Sequence, residues 1–212
     1  GCEREGLWVR AIELLHQMQQ RGVEADKMAY SQVINACKNS GQWRKAVEIM
    51  EGMPFEPDVY VVNAVMSSCA RAGQYKKAIE LMNNASERGL RLNQKTYNAA
   101  IAACSRAKKS DIALELLDRM RENGVEPDRV TYNSAIAALS RDVKVDEAHR
   151  MAAQMPFEPD EITQSTLISS SDPDRALELY ESLEKKTTSL TNALLSSYTK
   201  NGKYAEVVDM YR

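Results

Sequence analysis

The sequence predicts an all-α solenoid in which short two-helix units stack in tandem. Three sequence markers recur with one shared period and predict this fold. They are a helix-internal alanine, a Pro-Asp-type junction and, after each junction, a triplet of the Thr-Tyr-Asn type, called the Tyr-Asn-type triplet below. The alanines are separated by 35, 32, 35, 35 and 28 residues and lie at Ala11, Ala46, Ala78, Ala113, Ala148 and Ala176. The junctions end at Asp26, Asp58, Asn93, Asp128 and Asp160. Self-similarity at such a period is the sequence signature of a repeat array.

The unit from Gln94 to Asp128 indicates that each repeat is a pair of helices. Apolar side chains recur three and four residues apart over 95–107 and again over 111–122, which predicts a helix in each stretch. Gly124 is expected to end the second helix in a left-handed conformation, and Pro127 disfavours helix at the residue before it. Because one such unit cannot bury its own apolar stripe, neighbouring units are expected to stack.

The markers divide the chain into four full repeats, one degenerate repeat and a partial repeat at each end. The full repeats are predicted at 27–58, 59–93, 94–128 and 129–160. The degenerate repeat is predicted at 161–187, and the partial ones at 1–26 and 188–212. The chain is therefore expected to be an excerpt of a longer array. In the two 32-residue units a proline follows Met53 or Met155, and we expect it to end the second helix there, about a turn early.

Composition and charge limit the possible classes of protein. No apolar run approaches the roughly 20 residues that span a bilayer, so the sequence predicts a soluble protein without a membrane span. The formal net charge is −2, although nucleic-acid binders usually carry a basic excess that neutralises phosphates. Binding to nucleic acid therefore requires positive charge to be gathered on one face.

The cysteines and histidines favour packing over chemistry. Cys37, Cys69 and Cys104 are separated by 32 and 35 residues, which is the period of the repeat, so they are predicted to be buried core residues without metal or disulfide. The two histidines, His16 and His149, begin no zinc-deaminase motif, and no phosphate-binding loop is present. The chain is expected to be non-catalytic and to hold no cofactor, and a catalytic domain beyond either end is left open.

The stretch Val-Glu-Pro-Asp-Arg-Val-Thr-Tyr-Asn-Ser-Ala-Ile at 125–136 resembles the junction between pentatricopeptide repeats. The 35-residue period, the glycine before Pro-Asp and the second-helix alanine are similar to that family as well. The Trp-x-x-Leu-Gly-x-x-Tyr signature of the rival tetratricopeptide repeats is absent. The resemblance implies a right-handed superhelical solenoid whose first helices line a groove for single-stranded RNA. It also implies location in a mitochondrion or chloroplast.

The resemblance further implies which residues read RNA bases, with one base per repeat. The first reader is the polar residue of the Tyr-Asn-type triplet, which here is Ser31, Asn63, Asn98, Asn133, Ser165 and Asn192. The second is the last residue of the repeat, which here is Asp58, Asn93, Asp128 and Asp160. Thr187 holds that place in the degenerate unit and lies outside the usual set. Asn and Asp at these places could equally serve as helix caps.

Two further rows follow from the same resemblance. Apolar residues that flank the base match Met28, Tyr60, Val130 and Ile162, whereas Lys95 departs from the pattern. Basic residues that face the RNA backbone match Arg71, Arg106, Arg141 and Lys200, with Lys38 one residue out of register. A basic residue at a helix end is also favoured by the helix dipole, so a purely structural role stays open.

Three functions remain open from the sequence. The first is sequence-selective binding of organellar RNA in processing, stability or translation. The second is a scaffold subunit of a large organellar ribonucleoprotein complex, such as a mitochondrial ribosome, with rRNA or protein subunits as partners. The third is a solenoid that binds only protein. The paired reader positions favour RNA, while the net charge of −2 and the degenerate unit favour a scaffold.

Overall fold

The structure, a computed structural model, describes residues 2–203, with side chains from Leu7 onward. These residues form twelve α-helices and no strand, which confirms the all-α prediction. The first helices of the pairs are α2 (Lys27–Asn39), α4 (Val59–Arg71), α6 (Gln94–Arg106), α8 (Arg129–Arg141), α10 (Glu161–Ser170) and α12 (Thr188–Lys200). The second helices are α1 (Cys2–Gln20), α3 (Trp43–Glu51), α5 (Tyr75–Glu87), α7 (Ser110–Glu122), α9 (Val145–Ala153) and α11 (Pro173–Glu181). Within the described residues, none of the helices is both long and apolar enough to cross a membrane.

Each first helix begins directly after a capping side chain. In α4 the carboxylate of Asp58 accepts hydrogen bonds from the backbone N–H groups of Tyr60 and Val61, both at 3.0 Å. In α6 and α8 the cap is reciprocal, because the hydroxyl of a threonine three residues on accepts the backbone N–H of Asn93 or Asp128. Caps satisfy backbone donors that have no partner inside the helix, so they set the first residue of each first helix.

The first helices form a continuous inner layer. Helix α6 contacts α4 and α8, and α4 contacts α2 in turn. Each second helix brings its backbone close only to first helices among the described residues, while side chains such as Lys77 and Arg119 link neighbouring second helices. The second-helix alanines are fully buried at this contact, as the repeat pattern predicted: Ala46, Ala78, Ala113, Ala148 and Ala176. Because alanine has a small side chain, the helix backbones can approach closely at these points.

The cysteines lie in equivalent first helices. Cys37, Cys69 and Cys104 are free, fully buried and placed in α2, α4 and α6, which confirms the predicted burial. Burial raises the pKa of each thiol from 9.0 to about 11, because a thiolate is poorly solvated among apolar side chains.

These thiols are therefore expected to react slowly with alkylating reagents in the native protein. A two-unit rise in pKa lowers the thiolate fraction near neutral pH about 100-fold, and burial blocks access as well. Peptide mapping after timed alkylation at pH 8, with and without denaturant, measures this. Rapid native labelling of Cys69 would contradict the burial.

The two Met-Pro helices are shorter than the sequence predicted. Helices α3 and α9 end at Glu51 and Ala153, two residues before Met53 and Met155, so the predicted ends were wrong. Each has nine residues, whereas α5 and α7 have thirteen. The physical reason is that a residue before proline is forced out of the helical region, so the last turn before Pro54 cannot close.

Aromatic packing fills the place of the lost turn in both short units. Phe55 meets Tyr30 edge-on with ring centroids 5.4 Å apart, and Phe157 meets Tyr132 in the same way at 5.5 Å. Edge-to-face contact at this distance is the favoured geometry for aromatic pairs. The Phe after each Met-Pro therefore joins its junction to the first helix of its own unit.

The degenerate unit has its first helix cut short, as the sequence predicted. Helix α10 has ten residues and is followed by Ser171 in extended conformation. Asp172 then caps α11 by accepting the N–H of Arg175 at 3.0 Å, with Pro173 as the first helical residue. Proline suits that position because its missing N–H would be unsatisfied there anyway.

Candidate nucleic-acid interface

The inner layer carries a groove of about 580 Å³ that crosses four consecutive first helices. Predicted positions of all three kinds line it: Lys38, Tyr60, Asn63, Arg71, Asn98, Arg106, Asp128 and Val130. Lys95, which departs from the flanking pattern, lines the same groove. Stacking of the first helices therefore gathers residues that are far apart in sequence.

Three of the four predicted reader pairs are joined by hydrogen bonds between the first helix of a unit and the last residue of that unit, which caps the next first helix. The amide nitrogen donates to the last residue of the repeat in Asn63–Asn93 (3.2 Å), Asn98–Asp128 (3.1 Å) and Asn133–Asp160 (3.1 Å to each carboxylate oxygen). The partners lie 27 or 30 residues apart in sequence. Each joined pair thus presents two polar side chains side by side.

The fourth pair is arranged differently. The carboxylate of Asp58 accepts the backbone N–H groups of Tyr60 and Val61, and within the described residues it has no hydrogen bond to Ser31. Ser31 is half-buried in α2. A serine side chain is shorter than an asparagine, so this unit leaves more room beside its capping carboxylate.

Outside the four full repeats the predicted readers are not paired. The hydroxyl of Ser165 donates to the carbonyl of Ile162 at 3.1 Å, and Asn192 is exposed on α12. Thr187 donates to the carboxylate of Glu161 at 2.8 Å and caps α12. The degenerate unit therefore lacks a polar pair like those of the units before it.

The capping alternative is also present at these places. Asp58, Asn93, Asp128 and Asp160 all cap the next first helix through side-chain oxygens. Capping uses only part of their acceptor capacity, since a carboxylate has about four lone-pair sites. A capping role and contact with a ligand are thus compatible at the same residue.

Two of the reader carboxylates, Asp128 and Asp160, have lowered pKa values that hold them in the charged form. Partial burial raises the pKa of Asp128, but hydrogen bonds from the backbone and hydroxyl of Thr131 and from the amide of Asn98 outweigh it, so the net pKa is lowered. Asp160 shows the same balance, with Thr163 and Asn133 as the donors. Both side chains are therefore acceptors at neutral pH.

This balance predicts a stability change in acid. A lowered folded pKa gives stability that is fully present above the unfolded value near 3.8 and is lost as the pH falls through the folded value. Asp128→Asn keeps a capping oxygen but removes the charge, so we expect a modest loss of stability at neutral pH and a weaker further loss below pH 4. Urea unfolding at several pH values measures this, with exposed Glu122→Gln as the control. An unchanged acid profile in Asp128→Asn would contradict it.

Three buried threonines complete the reader pairs, and the sequence analysis missed them. Their hydroxyls donate to the amide oxygen of the preceding reader, from Thr96 to Asn63 (2.8 Å), Thr131 to Asn98 (2.6 Å) and Thr163 to Asn133. A threonine recurs as the third residue of α6, α8 and α10, and this recurrence could have indicated their role. The sequence analysis used these threonines only as the first residue of the Tyr-Asn-type triplet.

The predicted flanking residues are large apolar side chains that stand in solvent. Met28, Tyr60, Val130 and Ile162 are 65, 63, 58 and 64% exposed. Lys95 is exposed in the equivalent place. Large apolar side chains that stay mostly exposed at the same position of successive repeats are suited to stacking against the flat apolar surface of a ligand.

The predicted basic row is partly tethered. Arg71 and Arg106 are exposed, and Lys38 donates to the side-chain oxygen of Asn35 at 2.9 Å. Arg141 donates to the hydroxyl of Ser105 at 2.5 Å. Each of these cations retains donors for a further partner, since a guanidinium has five N–H groups and an ammonium three.

A second depression of about 520 Å³ continues the basic row at the degenerate unit. Arg141 and Lys200 line it together with Lys108, and no acidic side chain is among its lining residues. Lys108 has a φ of 55° where Gly41 and Gly73 stand in other units, and the sequence analysis did not single it out. A lysine in the place of a turn glycine was the available signal.

Two of the acidic side chains on the second helices form ion pairs with lysines on the same helix. Glu48 pairs with Lys45 at 2.7 Å, and Glu80 pairs with Lys77 at 2.8 Å. Both pairs lie on α3 and α5, outside the groove lining. The net charge of −2 therefore does not describe the groove. Its lining contains one carboxylate, that of Asp128, and four basic side chains: Lys38, Arg71, Lys95 and Arg106.

The fold and the groove together define a helical repeat protein with a polar and basic surface on its inner layer. Family models for the pentatricopeptide repeat domain match residues 13–55 and 80–141, and models for the PPR repeat match 1–23, 60–90, 130–156 and 190–212. Together they leave only 56–59 and 157–189 unmatched, and the second gap contains the degenerate unit. The chain belongs to the pentatricopeptide repeat family.

Solved structures of this family share the fold. The pentatricopeptide repeat protein PPR10 from maize has a TM-score of 0.63 at 19% identity, and its complex with an 18-nt psaJ RNA element has the same score at 26%. The chain is covered to 98 and 99% but spans only 36% of PPR10. The PPR domain of Arabidopsis thaliana protein-only RNase P 1 in complex with tRNA has a TM-score of 0.62 at 16% identity, covering 79% of this chain and 96% of that one. A comparison with curated protein sequences found no match.

Proposed function

We propose that this chain binds single-stranded RNA along its inner layer, with one base at each full repeat. One observation carries the proposal: Asn63–Asn93, Asn98–Asp128 and Asn133–Asp160 are joined in the same way at steps of one repeat. The RNA complexes of PPR10 and of the RNase P 1 PPR domain support it, because both proteins share this fold.

The flanking and basic rows complete the proposed site. Bases stack between exposed apolar side chains such as Tyr60 and Val130. Stacking tolerates any RNA sequence, because every base has a flat apolar face. Arg71, Arg106, Arg141 and Lys200, with Lys38, contact phosphates, which position the strand without reading its sequence. Lys108 joins this row at the degenerate unit.

The pairs predict a base preference by family resemblance. Ser31 with Asp58 selects guanine, Asn63 with Asn93 a pyrimidine, and Asn98–Asp128 and Asn133–Asp160 select uracil. The strand runs 5′ to 3′ from the N-terminal side, so the preferred core is G-Y-U-U, with Y a pyrimidine. Hydrogen bonding supports the uracil preference, since a charged carboxylate accepts from the uracil N3–H and an amide N–H donates to a uracil carbonyl.

Selection from a pool of random RNA tests this function on the purified chain. Enrichment of sequences that contain the G-Y-U-U core is the expected result. Four repeats make a short site, so individual affinities should be weak and must be compared at a stated salt concentration. Recovery of RNA without any shared core would contradict base reading.

A scaffold subunit of a large organellar ribonucleoprotein complex is the second candidate. Two features favour it: the net charge of −2, and the lack of a joined reader pair in 161–187, where Thr187 bonds Glu161 instead. A free sequence-selective binder has no use for either feature. Location in a mitochondrion or chloroplast rests on family resemblance and applies to both candidates. Tagged full-length protein that co-sediments with ribosomes, combined with no base preference in the purified chain, would favour the scaffold.

A further inference from the structure

We propose that Thr96, Thr131 and Thr163 are positioning residues that set which way the reader amide of the preceding unit points, and thereby which base that unit prefers. This inference rests on the proposed RNA binding for its effect on base preference. The threonines themselves are 0, 0 and 1% exposed, so they act through Asn63, Asn98 and Asn133 and do not touch a base.

The orientation begins at a backbone group that cannot change its role. The N–H of Thr131 donates to Oδ1 of Asp128 at 2.9 Å, and the N–H of Thr96 donates to Oδ1 of Asn93 at 3.2 Å. Because a backbone N–H is only a donor, the atom that faces it must be an oxygen. This contact determines the rotation of the Asn93 amide as well.

That oxygen then orients the reader. Oδ1 of Asp128 lies 3.1 Å from Nδ2 of Asn98, so a flipped Asn98 would bring two oxygens together at that distance. On the other side, Oγ1 of Thr131 lies 2.6 Å from the amide oxygen of Asn98. Oγ1 of Thr131 also lies 2.8 Å from Oδ1 of Asp128, but that oxygen already accepts the N–H groups of Thr131 and Asn98. Since Thr131 accepts the N–H of Asp128 at 3.1 Å as well, its single proton is the donor left for the closer amide oxygen of Asn98.

The threonine therefore decides what the reader can offer. From sequence alone an asparagine amide offers both a donor and an acceptor to a base. Here one N–H of Asn98 is held by Asp128 and the amide oxygen accepts from Thr131, so the second N–H is the one donor left for a ligand, beside one lone pair of the oxygen. Without the hydroxyl the amide oxygen loses its partner, and only the contact with Asp128 opposes a rotation that would exchange donor and acceptor.

The chain contains its own comparison. Val61 holds the equivalent place after the unit of Ser31, and Asp58 is not joined to that reader. All three units that are followed by a threonine have a joined pair. The hydroxyl and the joined pair therefore occur together along the array.

The test replaces Thr131 with valine, which keeps the shape and removes the hydroxyl. Loss of one hydrogen bond to the reader should reduce the preference for uracil opposite Asn98–Asp128 by about 2- to 10-fold, with other positions unchanged. Thr131→Ser should restore the preference. Thr199→Val is the matched control, because Thr199 is exposed on α12 and, within the described residues, its hydroxyl bonds only the carbonyl of Leu195. Thr131→Val with unaltered base preference would overturn the inference.

A measurement without RNA separates this inference from the proposed function. In the free protein the side-chain amide protons of Asn98 should exchange slowly by NMR, and Thr131→Val should speed their exchange, while Thr131→Ser should not. Fast exchange in the unmodified chain, or no change in Thr131→Val, would overturn the inference even if RNA binds. Slow exchange in a chain that ignores RNA would instead overturn the proposed function. Thermal unfolding of each variant confirms that the fold is kept.

Discussion

Replacing Asn98 with serine is expected to move the preferred base at one position from uracil toward guanine and to leave neighbouring positions alone. The variant gives that unit the polar pair that Ser31 and Asp58 form in the first full repeat. A serine is shorter, so it leaves room for a purine beside the carboxylate of Asp128, and it removes the amide N–H that faces a pyrimidine. We expect discrimination to change by about tenfold or more, the scale of one well-placed pair of base contacts.

Binding to RNAs varied one base at a time measures this change. Asn84→Ser is the matched control, because Asn84 is exposed on α5, in the second-helix layer. The control should keep the G-Y-U-U preference at every position. A flat preference in Asn98→Ser and in the unmodified chain alike would remove base reading and leave the scaffold as the better function.

Replacing both Arg71 and Arg106 with alanine is expected to weaken all RNAs alike. Both side chains are exposed in the groove beside the reader pairs, where they can neutralise phosphates. Phosphate contacts carry no base identity, so the order of preferred sequences should not change. For single strands, each arginine–phosphate interaction that is removed should reduce the slope of log affinity against log salt concentration by about 0.7.

Affinity at several salt concentrations tests this second prediction. Arg150→Ala is the control, because it removes one positive charge from an exposed place on α9, in the other layer. It should leave the salt slope unchanged. If the double variant lost affinity only for certain sequences, these arginines would be reading bases instead of positioning the strand.

Sequence alone was sufficient for the features that depend on nearby residues. The helices follow from apolar spacing within a few turns, and their starts follow from one capping residue such as Asp58 or Asp128. Burial of Cys69 and Ala113 followed from the period, because the same place in every unit meets the same neighbour. The groove residues were reached through family resemblance, not through spacing.

Local rules were less accurate where two effects compete. The sequence placed the ends of the short helices at Met53 and Met155, but proline also excludes helix at the residue before it, and the helices end at Glu51 and Ala153. The aromatic contacts of Phe55 and Phe157 that fill these junctions could not be seen from the motif. They depend on how the shortened chain returns to its own first helix.

The sequence by itself determined the period, the helical class and the positions that cap the first helices, because each is a property of a short stretch. Only the tertiary structure decided which polar side chains become pairs. Asp58 and Asp128 occupy the same place in the sequence pattern, yet only Asp128 joins the reader before it. One reason is that side chains 30 or more residues apart in sequence meet only when units stack. The other is that Thr131 supplies a hydroxyl at the position, three residues after the cap, where Val61 has none.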